Sequence, residues 1–137
     1  MTTTATAAKA TGTFKVTSMD EDTYESLDGG GKLARARGGQ KFSGDIEGEG
    51  HVEWLMCYRS DGSASFVGQQ LMRCSVDGRK GTFVIEANGE FSGATSKGDW
   101  RIVPGSGTDG LAGIQGEGGF EAGHGPNASY QLNVEFD

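Results

Sequence analysis

Histidine, cysteine and proline are scarce in this chain, with two of each in 137 residues. His51 and His124 lie far apart, with no cysteine or carboxylate at ligand spacing, which excludes a histidine-built metal centre and a Ser-His-Asp triad. Asp20, Glu21 and Asp22 lack the ligand spacing and central glycine of a calcium loop. No metal and no cofactor is expected. Cys57 and Cys74 sit in apolar, strand-like runs and read as small buried hydrophobes of a reducing compartment rather than as a disulfide. Basic residues are few and scattered, 12 against 19 acidic for a net charge of −7. Nucleic acid and anionic membrane surfaces are therefore excluded as partners. No run approaches the roughly 20 apolar residues that span a bilayer. The first residues carry neither the basic start nor the apolar stretch of a secretory signal. A cytoplasmic location is expected.

What the chain has in abundance is glycine, 25 residues spread through segments that alternate apolar and polar. Glycine inside a helix costs about 1 kcal/mol relative to alanine; in strands it marks bends, bulges and thin walls. Strand-like runs cover 13–19, 32–37, 41–48, 51–59, 64–76, 79–91, 97–103, 115–122 and 129–136, with no convincing helix between them. Short strands at regular spacing with glycine turns imply a sandwich or a barrel, and the glycine content favours a closed, strongly curved sheet. A single domain is expected over 11–137 behind a flexible leader at 1–10. Asp20-Glu21-Asp22 reads as a solvated turn.

Two Asp-Gly pairs, Asp61-Gly62 and Asp77-Gly78, lie between strand-like runs and signal two-residue hairpins. Loops of that length set Ser60 against Ser63 and Val76 against Arg79, and opposite residues share a face. A weaker turn is expected at Glu49-Gly50. One face of the resulting sheet then collects Phe42, Gly44, Ile46, Glu53, Leu55, Cys57, Phe66, Gly68, Gln70, Met72, Phe83, Ile85, Ala87 and Gly89; it is assigned to the lumen. The outer face would carry Trp54, Met56, Val67, Leu71 and Val84, enough apolar surface to imply a homodimer or higher homo-oligomer.

On this register Glu53 is the candidate catalytic acid/base. Desolvation inside an apolar barrel would raise its pKa, which suits proton transfer near neutral pH. Gln70 opposite it would orient the carboxylate or hold a substrate carbonyl. A structural Glu-Gln hydrogen bond near the mouth explains the same pair. The small residues Gly44, Gly68, Ala87 and Gly89 clear space for a ligand, or simply let a small barrel close. Phe42, Leu55, Phe66, Met72, Phe83 and Ile85 would wall the cavity. Residues 105–110 match GxGxxG after a strand, but more glycine and another strand follow where a dinucleotide site needs a helix. That segment is a turn.

The strings Lys41-Phe42-Ser43-Gly44-Asp45-Ile46-Glu47-Gly48, Val52-Glu53-Trp54-Leu55-Met56 with Tyr58, and Asp61-Gly62-Ser63-Ala64-Ser65-Phe66-Val67-Gly68 resemble a bacterial family of uncharacterised proteins. So do Asp77-Gly78-Arg79 with Thr82-Phe83-Val84, and Trp100-Arg101-Ile102-Val103-Pro104-Gly105-Ser106-Gly107-Thr108. The family is a domain of unknown function with an allene-oxide-cyclase-like barrel, and the resemblance covers nearly all of 11–137. It implies an all-β, eight-stranded antiparallel barrel, often dimeric. Relatives of this barrel architecture include plant allene oxide cyclases and cyclases of bacterial polyketide pathways, which bind a hydrophobic substrate in the lumen and steer its cyclisation. The chain departs from the family pattern at Gln70, where the family tends to glutamate, and at Ala87, where it tends to histidine. The function expected is a cofactor-independent isomerase, cyclase or lyase acting on a small hydrophobic molecule in the lumen. A non-catalytic carrier with the same lumen is the alternative.

Overall fold

Eight antiparallel strands close into one barrel in the computed structural model of the chain, which describes residues 6–123 and 127–136. They are β1 (Thr6–Ser26), β2 (Lys32–Gly44), β3 (Ile46–Tyr58), β4 (Ala64–Val76), β5 (Arg79–Phe91), β6 (Ser96–Ile102), β7 (Ile114–Ala122) and β8 (Asn127–Phe136). Each strand pairs with its neighbour in sequence, and β1 pairs with β8 to remove the sheet edges there. No helix is long and apolar enough to cross a membrane. His124 and residues 1–5 lie outside the described residues.

Alternation sets the wall. Along β8, Ala128, Tyr130, Leu132, Val134 and Phe136 are buried while the residues between them are exposed, the two-residue period of a strand with one dry face. The strand starts before the expected leader ends: Thr6 to Ala10 pair with β8, and Ala10 is buried. Asp20-Glu21-Asp22 is not a turn but part of β1, opposite Arg37, Ala36 and Arg35 of β2. Beyond Lys15, β1 pairs only with β2. This overhang is solvated on both faces, with acidic side chains and two bulges that discourage further strand pairing.

The two Asp-Gly turns differ, and the difference decides the lumen. Asp77 and Gly78 have φ of 51° and 79°, and Val76 pairs with Arg79, the expected two-residue hairpin. At the other, Gly62 N–H donates to Arg59 O at 3.0 Å and Arg59 N–H to Ser63 O at 2.8 Å. Only Gly62 there has positive φ, at 89°. That is a three-residue loop, Ser60-Asp61-Gly62, with glycine in the left-handed position. Asp61 is held by Ser63, whose N–H and Oγ–H donate to Oδ1 at 2.9 and 2.6 Å. These bonds keep the Asp61 carboxyl below the usual carboxylate range. One extra loop residue moves the pairing by one, so Met56 rather than Cys57 faces Phe66. The part of β3 from His51 to Tyr58 turns over, while Ile46 stays inside as expected.

The expected turn at Glu49-Gly50 is also absent: β3 runs through it, and the chain reverses at Gly44 and Asp45 instead. That corner is pinned from β8. The Tyr130 hydroxyl accepts from Ile46 N–H and donates to Ser43 O, each at 2.9 Å. The segment containing 105–110 lies along β5, where Thr108 N–H donates to Thr82 O and Ser106 Oγ accepts from Val84 N–H. It ends in a 3-10 turn whose Leu111 is fully buried and closes this end of the barrel.

Candidate functional site in the barrel lumen

Among the described residues seven aromatic rings contact one another inside the barrel, and Phe83 and Phe136 are buried with them. Phe14 stacks on Phe42 with centroids 4.9 Å apart, and Trp54 on Phe66 at 4.9 Å. Phe120 lies 6.2 Å from Phe66 and 5.6 Å from Trp100, and Trp100 lies 6.1 Å from Tyr130. The lumen is thus a packed aromatic core from Trp54 at one end to Tyr130 near the Gly44 corner. The end near Trp54 is the looser one: Trp54, Tyr58, Phe91 and Ala122 pack on the core but are only partly buried. There Tyr58 O–H donates to Glu21 Oε1 at 2.7 Å, and the Lys32 ammonium lies 5.0 Å from its ring centre. Burial first, then that bond, pushes the Tyr58 hydroxyl up to about 12.

Among the described residues, two polar side chains are buried in this apolar space, Gln40 of β2 and Gln70 of β4. Gln70 Nε2 donates to Gln40 Oε1 at 3.3 Å, reaching across β3. Gly50 makes the crossing possible, since a Cβ there would stand 2.8 Å from Gln40 Oε1 and 2.9 Å from the Phe42 ring. The remaining ends of the pair, Gln40 Nε2 and Gln70 Oε1, have no hydrogen-bond partner within the protein, nor do the indole Nε1 atoms of Trp54 and Trp100. A buried polar group left unpaired costs about 1–3 kcal/mol, so four in one interior need an explanation.

The expected site residues separate on this geometry. Phe42, Phe66, Gln70, Met72, Phe83, Ile85 and Ala87 are buried in the core. Gly68 shares their face, and the Trp54 side chain lies against it where a Cβ would stand. Gly44 lies at the exposed corner instead. Leu55 points outward, half exposed. Glu53 is the main correction. The slip in β3 puts it on the outer wall, where Arg35 Nε and Nη2 donate to its Oε1 at 3.1 and 2.6 Å. Its side chain is 57% exposed, and the Arg35 hydrogen bond holds its carboxyl below the ordinary range. An exposed, ionised, salt-bridged carboxylate does not reach the lumen. Gln70 pairs with Gln40 rather than with Glu53.

Sequence reasoning missed Gln40, Trp54 and Trp100. Gln40 was within reach, because alternation read back from Phe42 through Gln40, Gly38, Ala36 and Ala34 keeps one phase. A depression of about 890 Å³ opens on the wall, bordered by Asn88, Glu90, Lys97, Asp99 and Gln131 and floored by the core rings Phe66, Phe120 and Tyr130. Among the described residues no three of His, Cys, Asp and Glu gather to hold a metal.

The DUF3224 pattern, a protein of unknown function, matches residues 10–134. The chain belongs to the DUF3224 family. A DUF3224 protein of unknown function from Shewanella oneidensis MR-1, solved by crystallography, is similar to it at 25% identity and a TM-score of 0.82. That likeness covers 96% of this chain and 99% of the other. No curated protein matches the chain.

Proposed function

We propose that this DUF3224 barrel binds a small aromatic molecule in its lumen and carries it without converting it. The observation behind the reading is the set of four unpaired buried polar atoms among aromatic rings. Such groups are kept against their cost where a ligand pairs with them. The carrier reading is favoured over the cyclase because Glu53, the expected acid/base, stands on the outer wall paired with Arg35. Burial pushes the Cys74 thiol up to about 12 and raises the Tyr130 hydroxyl above its usual value.

The rings already fill the interior, so a ligand enters by displacing one of them. Trp54 is only partly buried and contacts the loose end, which makes it the ring that moves. Free thiols at Cys57 and Cys74 support a reducing, cytoplasmic setting. Trp54 and Met56 turn inward, so self-association would rest instead on the exposed apolar side chains Val16, Met19, Tyr24, Leu27, Leu55 and Val67. Phenol is a suitable probe, with one ring, one donor and one acceptor. Crystals soaked in phenol are expected to show it inside the barrel within hydrogen-bond reach of Gln70 Oε1, with Trp54 displaced. Phenol confined to the outer wall, or new products on incubation with candidate substrates, would overturn the carrier reading.

A further inference from the structure

The glutamine pair also says what kind of polar group the occupant carries, an inference that rests on the lumen-binding reading. Gln70 Nε2 and Gln40 Oε1 are used on each other, which leaves one donor, Gln40 Nε2, and one acceptor, Gln70 Oε1, on two adjoining amides. Flipping both amides exchanges these roles and still leaves one donor and one acceptor. The two unpaired indole N–H groups add donors only. We infer that the ligand is a neutral, flat, apolar molecule bearing an amide-like edge, a carbonyl beside an N–H, as in an aromatic carboxamide or a lactam.

Chemistries that lack either a donor or an acceptor leave Gln70 Oε1 or Gln40 Nε2 unpaired, and a hydroxyl offers both only through a single atom. A hydrocarbon satisfies none of the four atoms. A ketone or ether accepts from Gln40 or an indole but offers nothing to Gln70 Oε1. A carboxylate would carry its charge into an interior whose buried polar side chains, among the described residues, are the two neutral glutamines, and a buried charge without a partner is strongly disfavoured. An amide edge gives Gln70 Oε1 its proton, and its carbonyl has two lone pairs for Gln40 Nε2 and an indole. The flat body suits the rest of the site: Phe42 lies beside Gln40 above Gly50, 6.1 Å from Trp100, and rings pair best stacked or edge to face.

The test compares three probes of one shape by heteronuclear NMR on the full-length, ¹⁵N-labelled protein: benzamide, its hydrocarbon mimic isopropylbenzene, and the charged analogue benzoate. Benzamide is expected to shift the indole N–H signals of Trp54 and Trp100 and the side-chain amides of Gln40 and Gln70. Its affinity should exceed that of either analogue by about tenfold, the effect of one buried hydrogen bond left unmade. In the Gln40→Met/Gln70→Met double variant that preference should vanish. The melting temperature of the variant should hold or rise, because removing both partners of a polar pair is neutral or stabilising. The comparison in the unmodified protein stands even if the variant folds poorly. Equal binding of benzamide and isopropylbenzene overturns the amide edge and leaves lumen binding intact. If no probe reaches the lumen signals, both readings fall.

Discussion

Tyr58 stands where the overhanging end of β1 meets β3, and its hydroxyl is the best-defined titrating group at the loose end of the barrel. Its pKa of about 12 in the fold lies above the roughly 10 of an unfolded chain. The folded state therefore keeps a proton that the unfolded state gives up. The stabilisation is fully present below pH 10 and is lost as pH rises from 10 to 12. Melting temperatures taken from pH 9 to 12 should fall more steeply for the wild type than for Tyr58→Phe. Matching slopes would show that the hydroxyl titrates alike in both states. Tyr130 offers a second test. Tyr130→Phe leaves Ile46 N–H buried without its acceptor and frees Ser43 O, so denaturant unfolding should show a loss of about 2 kcal/mol. A loss below about 0.5 kcal/mol would mean that the corner does not depend on this hydroxyl.

Turn chemistry is where the sequence was legible at one hairpin and not at the other. Asp-Gly occurs at both, and alternation on β4 and β5 fixed the inward set Phe66, Gln70, Met72, Phe83, Ile85 and Ala87 through the second. At the first, Ser63 supplies two donors to Asp61 and holds it out of the left-handed region, so the loop takes in Ser60. Nothing in the dipeptide itself announces this. The chemistry of β3 does. The two-residue loop would bury Glu53 and expose Trp54, whereas the three-residue loop buries Val52 and Met56 and leaves Glu53 in water beside Arg35. An unpaired buried carboxylate outweighs the turn preference. Loop length is thus coupled to which face of β3 is wet. Deleting Ser60 should force the other phase, and the cost of burying Glu53 is comparable to the whole stability of a small domain, about 5–15 kcal/mol. The expected result is loss of the near-ultraviolet circular dichroism signal and a red shift of tryptophan emission. A deletion variant with native spectra would refute this coupling.

At the scale of the molecule, the closed barrel was legible from glycine content, alternation and turn spacing. Its lumen was legible only in part. The inward phase was right for β4, β5 and Ile46 of β3, inverted over 51–58 of β3, and for β2 was read only at its far end, so Gln40 escaped notice. The consequence is a change of chemistry: the interior holds two neutral amides and two indole donors in place of one carboxylate. The barrel then offers hydrogen bonds to an uncharged guest instead of a shared proton. The outer depression beside Lys97 and Asp99 is the rival location for such a guest.

The most direct measurement is a phenol titration of the ¹⁵N-labelled protein, followed at the indole N–H signals of Trp54 and Trp100 and the side-chain amides of Gln40 and Gln70. Saturable shifts at those four side chains, with the amides of Asn88, Lys97, Asp99 and Gln131 unmoved, are what an occupied lumen predicts. Shifts confined to the outer four, with the buried signals unchanged at saturation, would contradict it.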